Sequence, residues 1–452
     1  MNSKLVIIGA GPAGLFAAYN ATKYRDKLDI LVIDKGKNIE NRICPMREGK
    51  ACVNCKPCNI THGFGGAGTF SDCKLSLSPF GVGGDIVDYL GDAKTLDYIK
   101  VVETIFDNFD NDAHKRQIVG EKTEKYKEIE AKLKKQGLDL TYCPTKHLGT
   151  DGTLTVMRNL YKYLLDKGVK FKFNEEVVDF IHYNEENTNV VITNKMTYQA
   201  NYVIFAPGRS GNFWLSSLMA KHSVKSKSKK YDIGYRVEVP ANIIKELTDN
   251  FYDMKISYTD PKTKIKVRTF CTNPNGFVSK EKYDDGTMLA NGHSYADKKS
   301  NNTNFAILVS FPGDSETGRR IVKDFCEETG DIFVNNLDYA LTGEDMGKFD
   351  TLPTLNAYYA KRVTLFTPRE MNHYIFELLE RLNKIYPGVF SNKTNLYGME
   401  AKFYSDNIEV KNNLETKIPG VYCAGDGAGQ TRGIIQSAVA GYSIVDDIVK
   451  KI

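Results

Sequence analysis

The chain has 452 residues, 41% of them hydrophobic, more than one compact core ordinarily holds, so two domains are expected. Its 61 basic and 56 acidic residues leave a net charge of +5 with no dense Lys/Arg block, which argues against nucleic acid as a partner. No run of roughly 18 apolar residues offers a membrane span, and the chain reads as cytoplasmic, where routine structural disulfides are rare.

The first predicted elements lie in residues 5–34. The β-branched run "LVII" leads into "GAGPAG" and an alanine-rich helical stretch, a strand, a tight turn and a helix start. Gly9 permits the turn, Gly11 lets a pyrophosphate approach the helix N-terminus, and Gly14 lets the helix pack against the strand. A second apolar run, "LDILVIDKG", ends at Asp34, 20 residues after Gly14, where a carboxylate can accept from ribose hydroxyls. Strand, spacing and terminal acid together predict dinucleotide binding, and set the segment apart from a signal peptide.

Residues 41–75 hold five of the nine cysteines directly against a run of glycines. Cys52, Cys55 and Cys58 follow a Cys-x2-Cys-x2-Cys spacing, with Cys44 upstream as a fourth ligand. The spacing resembles the start of a bacterial ferredoxin cluster run, so a [4Fe–4S] cluster is one reading; inert or redox-active thiols and structural zinc are the others. His62 is expected to be a loop hydrogen-bonder. Cys143, Cys271, Cys326 and Cys423 are dispersed and read as small buried hydrophobes.

Residues 81–139 read as a helical insertion, in which "EKTEKYKEIEAKLKKQ" at 121–136 is a solvated helix face. Strands follow at "VKFKFNEEVVDFI" and "YVIFAPGRSG", then alternating strands such as "DIGYRVEVP" and "NFAILVSF" and a helical "TPREMNHYIFELLERLNKIYP", a mixed sheet capped by helices. Near the far end a strand from Val421 to Ala424 precedes Gly425-Asp426 and a helix beginning near Gly433. That arrangement offers Asp426 to a ribityl hydroxyl and a helix N-terminus to a flavin pyrimidine edge.

The terminal Gly-Asp motif resembles that of the glutathione-reductase-like flavoproteins. In such proteins Val177 would present its backbone to the adenine, and Ala206-Pro207-Gly208 resembles the motif usually written Ala-Thr-Gly, with proline replacing threonine. "GGAGTFSDCKL", "DIGYRVEVP", "NGHSYA", "LYGMEAKFYS" and "CAGDGAGQTRGI" together resemble a poorly characterised bacterial family of FAD-dependent dehydrogenases over nearly the full length. The resemblance implies an α/β fold: an FAD-binding Rossmann-type (glutathione-reductase-like) domain of residues 1–80, 140–230 and 395–452, with a Cys-rich insertion at 41–62. The helical insertion at 81–139 and an inserted α+β substrate or cap domain at 231–394 complete it.

The resemblance also implies which residues meet FAD. Gly9, Gly11, Pro12, Ala13, Gly14, Asp34, Lys35 and Arg42 would bind the cofactor; Gly65, Gly66, Ala67 and Gly68 would wrap its pyrophosphate and flavin. Arg432, Gly433 and Ile434 would join Gly425 and Asp426 at the other end. One departure stands out: the family usually has Ser-Asp-Gly-Lys where this chain has Ser71-Asp72-Cys73-Lys74, placing a thiol near the flavin.

These readings converge on an FAD-dependent oxidoreductase, a reductase or dehydrogenase of a C–C or C–N bond in a small or lipid-like molecule. Substrate is expected between the cap domain and the flavin. No second Gly-x-Gly-x-x-Gly follows a strand, so NAD(P)H would visit transiently, or a protein donor would deliver electrons through the cysteine cluster. Tyr235, Tyr404, His293 and Cys73 are candidate catalytic groups, and Arg236 or Arg432 could hold an anionic substrate; Tyr235 and Arg236, adjacent on one strand, point to opposite faces. A thiol-redox or electron-transfer flavoprotein is the alternative, and an FAD-binding RNA-modification or interaction protein a further one.

Overall fold

The computed structural model describes residues 3–45, 50, 53–70, 73–80, 86–185, 188–227, 230–251, 253–282, 287–294, 298–344, 349–355 and 362–452. The chain divides into two compact units. One comprises Met1–Ile118, Cys143–Lys227 and Ser405–Ile452, the other Val119–Tyr142 and Ser228–Tyr404.

The first unit is built on a five-stranded parallel sheet, ordered Val421–Cys423, Tyr202–Phe205, Ser3–Ile8, Leu28–Asp34, Lys170–Phe173. Apart from the edge strand Lys170–Phe173, its strands read as largely apolar runs because both faces are covered. Leu5 and Ile7 join a core that includes Phe16, Ile99, Leu160 and Ile444. Val6 and Ile8 face the other way, packing with Phe180 and Val191 of a small antiparallel sheet formed by Val177–Tyr183, Thr188–Thr193 and Thr197–Ala200. Helices Pro12–Ala21 and Ile434–Val449 lie together on the first face, where a Cβ on Gly441 would sit 1.8 Å from the Ala13 carbonyl oxygen.

The second unit carries a seven-stranded sheet, ordered Phe333–Asn336, Asn395–Lys402, Lys230–Pro240, Asn302–Pro312, Lys266–Asn273, Ile256–Thr259, Asp139–Leu140. All its pairings are antiparallel, where a mixed sheet was expected. Strand Lys230–Pro240 alternates: Tyr231, Ile233, Tyr235, Val237 and Val239 enter an apolar core with helices Ser315–Thr329 and Arg369–Asn383. Asp232, Gly234, Arg236 and Glu238 occupy the opposite face.

The observed units differ from the expected boundaries in three places, each for a packing reason. Helix Asp92–Phe109 belongs to the first unit because Ile99, Val102, Ile105 and Phe106, spaced for one helical face, share its core, with the Phe106 and Phe16 rings 5.0 Å apart. Helix Glu124–Lys134 belongs to the second: its outer side is laced by pairs such as Lys132–Glu128, but Tyr126, Ile129 and Leu133 form a buried stripe. Strand Asn395–Lys402 pairs with Lys230–Pro240 and so joins the second unit as well. No helix among the described residues is long and apolar enough to cross a membrane.

Candidate functional site

The carboxyl ends of the parallel strands bring together segments far apart in sequence, the usual place for a ligand in an open α/β sheet. Gly9 leaves the first strand at φ 107°, a left-handed conformation, and a Cβ there would sit 2.3 Å from the Ala206 carbonyl oxygen. Neither the turn nor the approach of the neighbouring strand end admits a side chain. Gly14 is equally tight, its Cβ position 1.9 Å from the Gly9 oxygen. A Cβ on Gly11, by contrast, meets nothing within 4 Å. Gly11 is the N-cap of helix Pro12–Ala21, with proline in the first turn, so unsatisfied N–H groups and the positive helix end face open space.

A second glycine segment packs on this turn. Gly65 N donates to the Ala10 carbonyl at 2.8 Å, and a Cβ on Gly66 would lie 3.2 Å from the Gly11 Cα. Ala67–Phe70 forms a 3-10 turn, and Gly68 faces Ile434, whose Cδ1 would lie 3.2 Å from an added Cβ. The third arm is the Gly425-Asp426 segment: Gly427 N donates to the Pro207 carbonyl at 3.1 Å. Gly433, at φ 80° and ψ 160°, then opens helix Ile434–Val449 with no side-chain cap, beside half-buried Arg432. Gly208, like Gly11, has open space where a Cβ would stand. Val177, buried, opens the first strand of the small sheet.

Polar groups around this cradle are partly engaged. Asp34 accepts from Ala10 N at 2.8 Å through one oxygen and from Gly36 N at 2.7 Å through the other. It therefore braces the glycine turn, while each oxygen keeps a further lone pair. Lys35 reaches Glu176 at 3.8 Å. Asp426 pairs through one oxygen with Arg209, whose Nε lies at 3.1 Å; its other oxygen, Oδ1, is buried without a hydrogen-bond partner. An orphaned carboxylate oxygen costs free energy, and here it suits a ligand hydroxyl. The open space over Gly11, the backbone cradle and this oxygen together fit FAD.

Arg42, expected at the cofactor, has another task. Its buried guanidinium donates to the carbonyls of Asn59 at 2.9 Å, Ile60 at 2.7 Å and Phe64 at 2.5 Å, and to the Thr69 hydroxyl at 3.1 Å. Burial brings its pKa down to about 10, against the pull of Asp34. Arg42 is thus the staple that holds the Cys-rich loop onto the Gly63–Gly66 turn. His62 is a loop hydrogen-bonder, its Nδ1 2.8 Å from the Thr61 hydroxyl and its Nε2 2.9 Å from the Ser210 hydroxyl.

In the cysteine segment Cys44, Cys55 and Cys58 are half-buried free thiols, and Cys52 lies outside the described residues. Among the described residues no group of three or more His, Cys, Asp or Glu side chains is arranged to hold a metal ion, so Cys44, Cys55 and Cys58 do not gather into a cluster site. Cys55 hydrogen-bonds to Cys58. Although burial opposes the thiolate, the Ile60 and Thr61 backbone N–H groups, the Thr61 hydroxyl and Cys55 hold the Cys58 pKa below its ordinary value.

The remaining catalytic candidates are dispersed. Tyr235 is fully buried, its hydroxyl 2.5 Å from the Thr367 hydroxyl and 2.6 Å from Asn372 Oδ1. Arg236, also fully buried, donates to Asn304 Oδ1 at 2.9 and 2.7 Å, to the Cys271 carbonyl at 2.9 Å and to Glu400 at 3.3 Å. The strand does send the two to opposite faces, but each meets protein partners. Tyr404 donates to Asp232 and accepts from Arg268 Nη2 at 2.7 Å. His293 is exposed at a strand end. Cys73 is 1% exposed within the first unit's core, at φ 46°, a conformation that explains why glycine suits this position. Sequence reasoning passed over Arg209 and Arg268, since neither stands in a motif that marks it out.

Residues 7–40 match the family model of the NAD(P)-binding Rossmann-like domain. The whole chain is 23% identical to an uncharacterised protein of Clostridium beijerinckii, of which it covers 81%. Similar solved structures include glycine oxidase from Geobacillus kaustophilus, with 12% identity, 100% of this chain and 95% of that one covered, and a TM-score of 0.39. An L-amino acid deaminase from Proteus myxofaciens in complex with anthranilate has 13% identity, coverage of 100% and 91%, and a TM-score of 0.38. L-proline dehydrogenase from P. horikoshii has 15% identity, coverage of 100% and 94%, and a TM-score of 0.37.

Proposed function

We propose that the chain is an FAD-dependent oxidoreductase acting on a C–C or C–N bond of a small organic substrate. The observation that supports it best is the meeting of three strand-end segments, Gly9–Gly14, Ala206–Gly208 and Gly425–Gly427, with open space where a Cβ would stand on Gly11 and Gly208 and an orphaned buried oxygen on Asp426. When bound, the flavin supplies two-electron redox chemistry. The chain's own residues bind and orient it: the helix N-terminus at Gly11 takes the pyrophosphate, Asp34 the ribose, Asp426 a ribityl hydroxyl, and the helix opening at Gly433 the pyrimidine edge. Purified protein should be yellow and release FAD on denaturing extraction. Release of FMN, or of no flavin, refutes the reading. NAD(P)H should reduce it only with weak saturation in stopped flow, because no second dinucleotide turn is encoded.

A second reading, thiol redox exchange, draws on the contact between Cys55 and Cys58 beside the glycine segment. Iron analysis and thiol titration of anaerobic protein separate it from a cluster. About four irons per chain, lost in Cys55→Ser, would mean a [4Fe–4S] centre; no iron, with thiols that titrate according to redox state, would mean a dithiol.

A further inference from the structure

The Cys-rich loop is joined to the glycine segment by an unbroken chain of hydrogen bonds. Cys55 Sγ accepts from Asn59 N at 3.4 Å, and Asn59 Nδ2 donates to the Ile43 carbonyl at 2.8 Å. The Asn59 and Ile60 carbonyls are two of the acceptors that hold the Arg42 guanidinium. That guanidinium reaches across to Phe64 and Thr69, and its central carbon lies 4.7 Å from the Phe70 ring centroid. Next in line, Gly65 N donates to the Ala10 carbonyl. Two thiols three residues apart therefore stand at one end of a chain of contacts that ends on the dinucleotide turn.

The pair has the contacts and the access that thiol exchange needs. The Cys58 sulfur is hydrogen-bonded by the Cys55 thiol, by the Ile60 and Thr61 backbone N–H groups and by the Thr61 hydroxyl. Donors gathered on one sulfur favour the thiolate, the form that attacks a disulfide. Both cysteines are half-buried, beside exposed Val53, Asn54 and Lys56, so a small molecule reaches them. Cys73 and Cys423, by contrast, are sealed in the core at 1% and 0% exposure.

We propose that Cys55 and Cys58 form a redox-modification site that exchanges with low-molecular-weight disulfides, and that its oxidation loosens the Arg42 staple. The Cys58 thiolate attacks one sulfur of the small disulfide RSSR, forming a mixed disulfide on Cys58 and releasing RS⁻, which takes up the proton that Cys58 lost on ionising. The Cys55 sulfur then attacks the Cys58 sulfur and expels the second RS⁻, to which the Cys55 proton passes. In sum two chain thiols become one disulfide while RSSR becomes two RSH. A covalent bond draws the sulfurs closer than a hydrogen bond leaves them. The shift falls on Asn59, which follows Cys58 in the chain and donates to Cys55. Its carbonyl and that of Ile60 then serve Arg42 Nε and Nη2 less well. The inference rests on the dithiol reading and deepens it; it does not depend on the flavin.

The test incubates the anaerobically purified full chain with excess bis(2-hydroxyethyl) disulfide, maps its cysteines by mass spectrometry and follows tryptic cleavage after Arg42 in the folded protein, with iron and flavin contents measured separately. The oxidised chain should carry a Cys55–Cys58 disulfide. Cleavage after Arg42, buried in the reduced loop, should quicken by about tenfold, as the loss of one charge-assisted hydrogen bond predicts. Cys55→Ser should stop at the mixed disulfide, with one hydroxyethylthio group on Cys58. Cys58→Ser should leave Cys55 reduced and the cleavage rate unchanged. Where a variant yields no folded protein, the wild-type map and cleavage rate decide. A wild-type disulfide that draws instead on Cys44 or Cys52 would keep the dithiol reading and overturn this assignment. Thiols that never oxidise, or about four irons per chain, would overturn both. A Cys55–Cys58 bond with an unchanged cleavage rate would overturn the link to Arg42 and the proposal with it. The bond and the quickened cleavage in a protein that carries no FAD would refute the oxidoreductase reading and leave the site standing. FAD retention by a protein whose Cys55 and Cys58 stay reduced would do the reverse.

Discussion

The two sheets handle polarity in opposite ways. In the parallel sheet the strands other than the edge strand Lys170–Phe173 are largely apolar on both faces, and the polar work is concentrated where the strands end, at Gly9, Asp34, Ala206 and Gly425. In the antiparallel sheet one face is apolar and the other carries Asp232, Arg236, Glu238, Arg268, Glu400 and Lys402 along the length of its strands. A sheet covered twice can offer a ligand only its backbone and its edges. A sheet whose second face is covered only in part can offer side chains, at the cost of charges that must each find a partner.

The contrast can be broken by substitution. Arg236→Met removes one member of a fully buried ion pair and should destabilise the protein by about 3–5 kcal/mol in denaturant titration, without altering flavin affinity in the fraction that remains folded. Gly11→Phe should do the opposite. Its side chain enters open space, so thermal stability without flavin should match that of flavin-free wild type, while FAD retention falls by roughly 100-fold or more, the equivalent of about 2.7 kcal/mol. If Gly11→Phe unfolds the protein, the space at the strand ends is not a ligand site. Asp426→Asn keeps the shape but not the charge and should weaken FAD binding by about tenfold in fluorescence titration.

Smaller effects sharpen the same comparison. Cys73→Gly relieves a left-handed backbone and forfeits a buried thiol, so its stability change should stay within about 1 kcal/mol. For His62, burial and then the charge of Lys35 lower the folded pKa. Its contribution is therefore full above the unfolded value of about 6.5 and is lost as pH falls through the folded one. His62→Gln should flatten that limb of the stability–pH curve; an unchanged limb would mean that the fall arises elsewhere.

What could be read from sequence follows the same division. Gly9–Gly14, Ala206–Gly208 and Gly425-Asp426 are strand ends, each a short stretch in which spacing alone states the geometry, and the fold brings all three together. The buried cluster of Asp232, Arg268 and Tyr404 is drawn from strands far apart in sequence, so no window of sequence contains it. Arg236 looked available to an anion because alternation gives a face but not what covers that face. The domain limits failed where amphipathic helices had to choose between two cores, since periodicity says that a stripe is buried without saying against what.

The pairing of helix Pro12–Ala21 with helix Ile434–Val449 has a consequence for the order of synthesis. Asn20 Nδ2 donates to the Tyr442 carbonyl across 422 residues of chain, and strand Val421–Cys423 completes the edge of the sheet that Ser3–Ile8 begins. At ~5–20 residues per second the ribosome needs roughly 20–90 s to make the intervening chain. For all that time the helix made first has no partner for its apolar side, and the glycine turn has no third arm. The nascent unit should therefore be prone to aggregation until helix Ile434–Val449 emerges, and shortening the interval, by circular permutation that places residues 405–452 ahead of residue 3, should reduce its aggregation during translation.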